Sequence, residues 1–353
     1  MSSSGAVSGP TADPFGERLR GGARLDLSLL GARFEFQSSS PELLRLVRWA
    51  FAGLPAHRLS ATMPRIRIRL VRCEHDAGTR LTGDPPPMQP HSGVGLLGAV
   101  TASASFVALS PVERAALVVV SPELVSSAYH ARYELIEFAV FTLAARVQAL
   151  TPLHAACVGQ GGRGLLLIGD SGAGKSTLAL HCLLGDFKLV AEDSVFVQPK
   201  TLLATGVGNF LHVRDDSLRF LSGRERAMVQ KSPVIRRRSG VEKFEVDVRR
   251  TRTRLARAPM KLAAVVFATA HNAGAEPALR RLQSRDLLAR LEATQPYAAA
   301  RPEWSAFCKS VARLPAYELA RGAHPSQAVP LMRALLAKHG RGAKGCWLAK
   351  GGR

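Results

Sequence analysis

The chain is short of acids. Its 353 residues hold 27 Asp and Glu against 48 Lys and Arg, a formal net charge of +21. A surplus of that kind ordinarily points to nucleic acid, a membrane surface or a phosphorylated ligand. Here most of the surplus is arginine, beside many Ala, Gly and Pro, and it reads as compositional bias. Nucleic-acid binding driven by charge therefore stays an alternative only. Trp49, Trp304 and Trp347 lack the spacing that stacks successive bases. Cysteine is scarce too: Cys73, Cys157, Cys182, Cys308 and Cys346 are odd in number and contain no CxxC pair. That argues against a disulfide scaffold or zinc site and fits a reducing compartment. No apolar run reaches the ~18 residues that span a bilayer. The opening MSSSGAVSGPTADPFGE has neither a cationic nor an apolar signal region. The expectation is a cytoplasmic protein that does not engage a membrane. No internal repeat is visible.

Apolar residues make up 46% of the chain, enough for a real core. Four segments are expected: a disordered tail at 1–22, an amino-terminal α+β domain at 23–125, a nucleotide-binding α/β domain at 126–340 and a basic tail at 341–353. In the first domain, 23–36 alternates as a strand pair. Pro41 to Phe51 has helical spacing, with Ser40 as N-cap. Residues 65–71 (RIRIRLV) alternate at period two, a half-buried strand with arginines facing water. Residues 73–92 read as a loop, with strands near 105–109 and 116–120. One long apolar helix is expected from Pro122 to Leu150, capped by Ser121. Beyond it, strands are expected at 153–158 and 165–168, with a tight turn at 159–164 between them. Further strands fall at 188–191, 194–198, 201–205, 212–213, 244–248 and 262–268. Helices are expected at 175–184, 284–291, 303–311 and 326–339.

One motif carries chemistry. Gly169-Asp170-Ser171-Gly172-Ala173-Gly174-Lys175-Ser176-Thr177 matches G-x-x-x-x-G-K-[ST], between an apolar strand and a helix. Glycines let the backbone curl so that its N–H groups point at a phosphate. The helix N-terminus adds a favourable partial charge. These nine residues are expected to hold ATP, with Lys175 reaching the β- and γ-phosphates and the Ser176 hydroxyl on Mg²⁺. The acidic pair Glu192–Asp193 ends the strand that follows the loop helix. Two adjacent carboxylates there can divide the work, Asp193 joining Ser176 on the metal and Glu192, or Asp193 in its place, taking a proton from the attacking hydroxyl.

The stretch from Leu153 to Val197, LHAACVGQGGRGLLLIGDSGAGKSTLALHCLLGDFKLVAEDSVFV, resembles the bacterial HPr serine kinase/phosphorylase family. That family has a His at a strand start, a GDSGxGKS loop and an acidic pair after leucine-valine-alanine. His154, Lys175, Ser176, Glu192 and Asp193 fall on those positions. The resemblance implies a fold related to phosphoenolpyruvate carboxykinase and ATP-dependent phosphorylation of a serine on a protein or peptide. It makes His154 a catalytic neighbour of the phosphates or the acids. The family pair is usually Asp-Asp, and its second signature has no copy here. PMKLAAVVF, SRDLLARL and LPAYELARG further resemble HPr-kinase-related proteins of diverse bacteria.

Downstream, Lys243 and the run Arg236, Arg237, Arg238 are candidates to steady the transferring phosphoryl group. Asp215–Asp216 reads as a helix start. Three alternatives to the kinase stand: a nucleotide-binding switch module, a small-molecule kinase and the charge-driven nucleic-acid binder. Whether the chain self-associates is open.

Overall fold

The computed structural model describes residues 22–73, 85–93, 95–101 and 105–339. Residues 1–21 of the first expected tail, all of the second, and 74–84 of the proline-rich 73–92 stretch lie outside them. The described residues are mixed α/β and form three sheets. Among the described residues no helix is long and apolar enough to cross a membrane.

The first sheet is built from β1 (Ala23–Leu29), β2 (Ala32–Ser38), β3 (Arg65–Arg72), β4 (Gln89–Gly93), β5 (Leu96–Thr101), β6 (Ser105–Ser110) and β7 (Ala115–Val120), in the order β1-β2-β3-β7-β6-β5-β4. Helix α1 (Pro41–Phe51) crosses between β2 and β3 and buries Leu43, Leu44, Val47 and Phe51. Ser40 caps it by accepting from the Leu43 N–H. Ile66, Ile68 and Leu70 of β3 point into the same core while its arginines face water, as period two dictates. The β4–β5 hairpin was expected as loop at its first strand. Pro90 is tolerated there because β4 is the sheet's edge.

The long apolar helix is interrupted. It runs as α2 (Pro122–Ser126), α3 (Ala128–His130), a π-helical turn at Ala131–Glu137, and α4 (Phe138–Val147). A wide turn of this kind costs regular hydrogen bonding and tends to sit where side chains have a task. Here it turns Arg132 and Glu137 inward. Leu135, Ile136, Ala139, Val140 and Leu143 pack into the core of the first sheet, which Phe196 and Val207 also enter.

The second sheet holds β8 (Thr151–His154), β9 (Ala156–Gln160), β10 (Arg163–Ile168), β11 (Lys188–Ala191), β12 (Ser194–Val197), β13 (Leu203–Gly206), β17 (Met260–Asn272), β18 (Ala278–Leu282) and β19 (Ala316–Arg321). Its main path is β11-β9-β10-β17-β13-β12-β8, with β19 beside β17 and β18 beyond it. The remaining strands, β14 (Phe210–Val213), β15 (Val234–Arg236) and β16 (Glu242–Asp247), form a small third sheet. In β10 alternate side chains go to opposite faces. Leu165 and Leu167 pack with α5 (Lys175–Leu184) and with α10 (Ala328–His339). Leu166 and Ile168 pack with α7 (Ser284–Thr294) and α9 (Trp304–Val311). Short elements, α6 (Gly223–Gln230) and α8 (Pro296–Ala299), complete the set. The turn expected at 159–164 narrows to Gly161–Gly162, both with positive φ (57° and 75°), the two-residue geometry that suits strand twist.

The strand expected at 153–158 is two strands. Ala155 alone separates β8 from β9, yet these lie near opposite ends of the sheet order. Glu192 and Asp193 likewise separate β11 from β12. One residue reaches only roughly 7 Å between flanking Cα atoms, so the sheet must curl until its ends meet. The Ala155 N–H donates to the Asp193 carbonyl at 3.2 Å, joining the two crossings.

Arg132 links the first core to the third sheet. Its side chain is fully buried, stacked on Trp49 (4.2 Å to the centroid) and Phe210 (4.6 Å), and ion-paired to the equally buried Glu245. Arg132→Met leaves that buried carboxylate with His212 alone, at 3.7 Å, and is expected to cost about 3–5 kcal/mol. Urea denaturation checks this, and a loss below about 1 kcal/mol would contradict the buried pairing.

Candidate functional site

The loop at Gly169–Gly174 lies between the end of β10 and the first residue of α5. Parallel pairing of β10 with β17 sets Ile168 opposite Phe267. The next residue must therefore pass close to β17, and a Cβ on Gly169 would fall 2.4 Å from the Ala268 carbonyl oxygen. Gly172 and Gly174 take positive φ (80° and 94°), which a side chain would strain. The loop closes on itself through the Ala173 N–H to the Asp170 carbonyl, 3.0 Å. Lys175 folds back to donate to the Gly169 and Asp170 carbonyls at 2.6 and 3.3 Å. Burial pushes its pKa down, an effect that Asp193, Glu192 and Asp170 oppose.

A cleft of about 450 Å³ opens over the loop, with residues 170 to 178, His154, Glu192 and Asp193 in its walls. Every residue singled out from the motif and the acidic pair borders it except Gly169, whose backbone starts the turn. An opening lined by loop amides at a helix N-terminus suits an anion.

The two acids have different surroundings. Glu192 is 4% exposed, accepts a hydrogen bond from the Ser176 hydroxyl, and meets His212 Nδ1 at 2.9 Å. Asp193 is partly open, with His154 Nδ1 at 3.1 Å on one oxygen and Arg237 at 3.5 Å on the other. Burial raises the Asp193 pKa. The His154 hydrogen bond and the charges of His154, Arg237 and His212 outweigh it and hold the carboxyl well below the usual range. The hydroxyl of Ser176 thus lies against Glu192, where the sequence reading had joined it with Asp193. Among the described residues no group of three or more His, Cys, Asp or Glu converges as an all-protein metal site.

Of the basic run, Arg237 and Lys243 reach the cleft. Arg238 turns away to Glu134, 2.6 Å. Lys243 has its pKa lowered by burial first and by Arg237 second. Asp215–Asp216 begin a short 3₁₀ turn, but no side chain caps it. Asp216 instead pairs with Arg214 at 3.2 Å. Thr177 meets Ser217 of the same turn at 3.1 Å.

Sequence reasoning missed three groups. Arg321, at the end of β19, borders the cleft and donates to the Gly172 carbonyl at 2.5 Å. His212 stands between Glu192 and Glu245. Its pKa is lowered by burial but raised more by hydrogen bonds to those two glutamates. Tyr133 follows, its hydroxyl 2.6 Å from His212 Nε2. None has a local motif, since each depends on a contact distant in sequence.

No protein-family model matches the chain, and no curated protein matches it. Among solved structures the chain is similar to the HPr(Ser) kinase/phosphatase from Coxiella burnetii, at 12% identity and a TM-score of 0.28, over 53% of this chain and 95% of that one.

Behind the acids, Glu137 is 4% exposed and its Oε1 has no hydrogen-bond partner. Burial pushes its pKa up from 4.5 to about 7, which Arg132 and His212 only partly oppose. Between those values the folded chain keeps a proton that the unfolded chain has lost. Stability therefore falls as pH rises through this window, by about 3 kcal/mol at completion. Glu137→Gln removes that loss. Urea midpoints for the variant and wild type are expected to lie close together at about pH 5 and to separate in the variant's favour at about pH 8. A difference that does not change with pH would refute the assignment.

Proposed function

We propose that the cleft binds ATP with Mg²⁺ and that the chain transfers the γ-phosphoryl group to a hydroxyl, that of a serine on a peptide or protein. The observation that carries this reading is the conjunction at one cleft of a glycine loop shaped by Gly169, Gly172 and Gly174, a buried Lys175, and two adjacent carboxylates. The residues fit the nucleotide. Loop amides and the α5 N-terminus can take phosphate oxygens, and Lys175, now on two loop carbonyls, can exchange those weak acceptors for phosphate. Bound Mg²⁺ would neutralise phosphate charge, and Ser176 and Glu192 are the side chains best arranged to hold it, because they already touch.

The reaction balances simply. The bond from the γ-phosphorus to the β–γ bridging oxygen breaks, and its electron pair leaves on ADP. A bond from phosphorus to the acceptor oxygen forms, and the hydroxyl proton passes to Asp193. In this allotment Asp193 takes the proton in place of Glu192, because it is the more open of the pair and is oriented by His154. A carboxylate of depressed pKa is a weak base. It serves here because phosphoryl transfer has a loose transition state and asks mainly for positioning and charge stabilisation. Arg237, beside Asp193, and Lys243 of the same cleft supply that charge.

Lys175→Ala is expected to weaken ATP binding by about 10- to 100-fold, the loss of a charge-assisted contact. Asp193→Asn is expected to keep ATP affinity within about threefold while lowering label transfer by about 10²- to 10⁴-fold. Titration with Mg²⁺–ATP and transfer of γ-label to serine read the two separately. Tight binding with no transfer to any hydroxyl, in wild type as in variants, would leave a nucleotide-binding switch in place of a kinase.

A further inference from the structure

A second cavity, of about 680 Å³, lies behind the acidic pair and meets the first at His154, Glu192, Asp193 and His212, which line both. Its walls differ in character from those of the first. Phe138 and Phe141 of α4, Phe196 of β12 and Phe210 of β14 line it, and Phe141 and Phe196 pack ring to ring at 5.4 Å. Tyr297, 57% exposed, stands at its rim. A concave, mainly apolar space of several hundred Å³ with a few polar groups at one end is the usual form of a binding site.

Charge narrows the occupant. Among the described residues lining this cavity are four carboxylates, Glu134, Glu137, Glu192 and Asp193, and no lysine or arginine. Arg238, Arg237 and Arg132 pair with Glu134, Asp193 and Glu137 from outside the lining, and His154 and His212 within it are engaged by Asp193 and Glu192, so no lysine or arginine of the lining is left to receive an anionic group. Glu137 borders the same space, and its buried Oε1 has no hydrogen bond, only Arg132 Nε at 3.9 Å. A buried acceptor atom without a hydrogen bond is unfavourable, and a donor on an occupant would relieve it. A backbone N–H beside a serine hydroxyl provides such a donor, which a simple apolar alcohol lacks.

We infer that this second cavity is the acceptor site, and that it selects a serine flanked by bulky apolar residues and not by acidic ones. The inference rests on the phosphoryl-transfer reading above. The serine hydroxyl enters at the Asp193 end, where the two cavities meet. Its oxygen attacks the γ-phosphorus, its proton goes to Asp193, and ADP departs on the loop side. The apolar neighbour fills the space among the four phenylalanines, and the backbone N–H reaches Glu137.

The test uses the full chain, γ-labelled Mg²⁺–ATP and two N-acetylated pentapeptide amides. One has phenylalanine and leucine flanking a central serine, and the other has glutamates in those places. Wild type is expected to label the apolar-flanked peptide with a kcat/KM at least about tenfold higher. Phe141→Asp, inside the cavity, is expected to lower that value about tenfold or more. Tyr297→Ala, at the exposed rim and safe for folding, is expected to raise KM about threefold with kcat unchanged. Both variants should bind ATP as wild type does.

Equal labelling of the two peptides would overturn the inference, as would a preference that survives both substitutions. Label on free 3-phenylpropanol and on neither peptide would overturn it in favour of a small-molecule acceptor. ATP bound with neither peptide labelled removes the acceptor assignment and leaves nucleotide binding standing. Failure to bind ATP removes both readings.

Discussion

The chain must cross from one end of its large sheet to the other twice, with Ala155 as the only connector in one case and Glu192–Asp193 in the other. Such short connectors force the sheet to close on itself. The placing of the acids at the candidate site follows from that closure. It brings His154, the last residue of β8, within reach of Asp193. It sets Glu192 under the first turn of α5, where Ser176 meets it. It also fixes the acids between two cavities, one walled by the glycine loop and the other by aromatic side chains.

Closure alone would not orient the acids, and a buried polar chain does the rest. Glu192 contacts His212, His212 contacts Glu245, and Glu245 is paired to Arg132 on the π-helical turn. The chain runs from the cleft to the core of the first sheet. Buried charge is costly, and each member is held because its neighbour offsets part of that cost. The amino-terminal half thus contributes to the site through Arg132, Glu137, Phe138 and Phe141.

Much of this was legible in the sequence, unevenly so. The strand–loop–helix at 165–184 was clear because local rules agree there: an apolar run, glycines where φ must be positive, and Gly185 after the last helical turn. The caps Ser40 and Ser121 were equally local. The breaks at Ala155 and across 126–137 were not, because both segments read as continuous apolar periodicity. Only the distant partners, Asp193 for one and Glu245 for the other, give a reason to interrupt it. The hairpin at 89–101 was obscured by Pro90, acceptable only because β4 ends its sheet. His212 and Arg321 carry no motif and become visible only when β14 and β19 are brought beside the loop. The split of tasks between Glu192 and Asp193 likewise depends on burial, which adjacent identical charges in a sequence do not reveal.

The central claim is that the glycine loop and the acidic pair form one nucleotide site. Amide hydrogen exchange of the full chain, with and without Mg²⁺ and a non-hydrolysable ATP analogue, addresses it directly. The account predicts slowed exchange at residues 169–177 and 192–193 when both are present, with the β1–β3 strands unchanged. Unchanged exchange at the loop, or protection confined to the arginine face of β3, would contradict it.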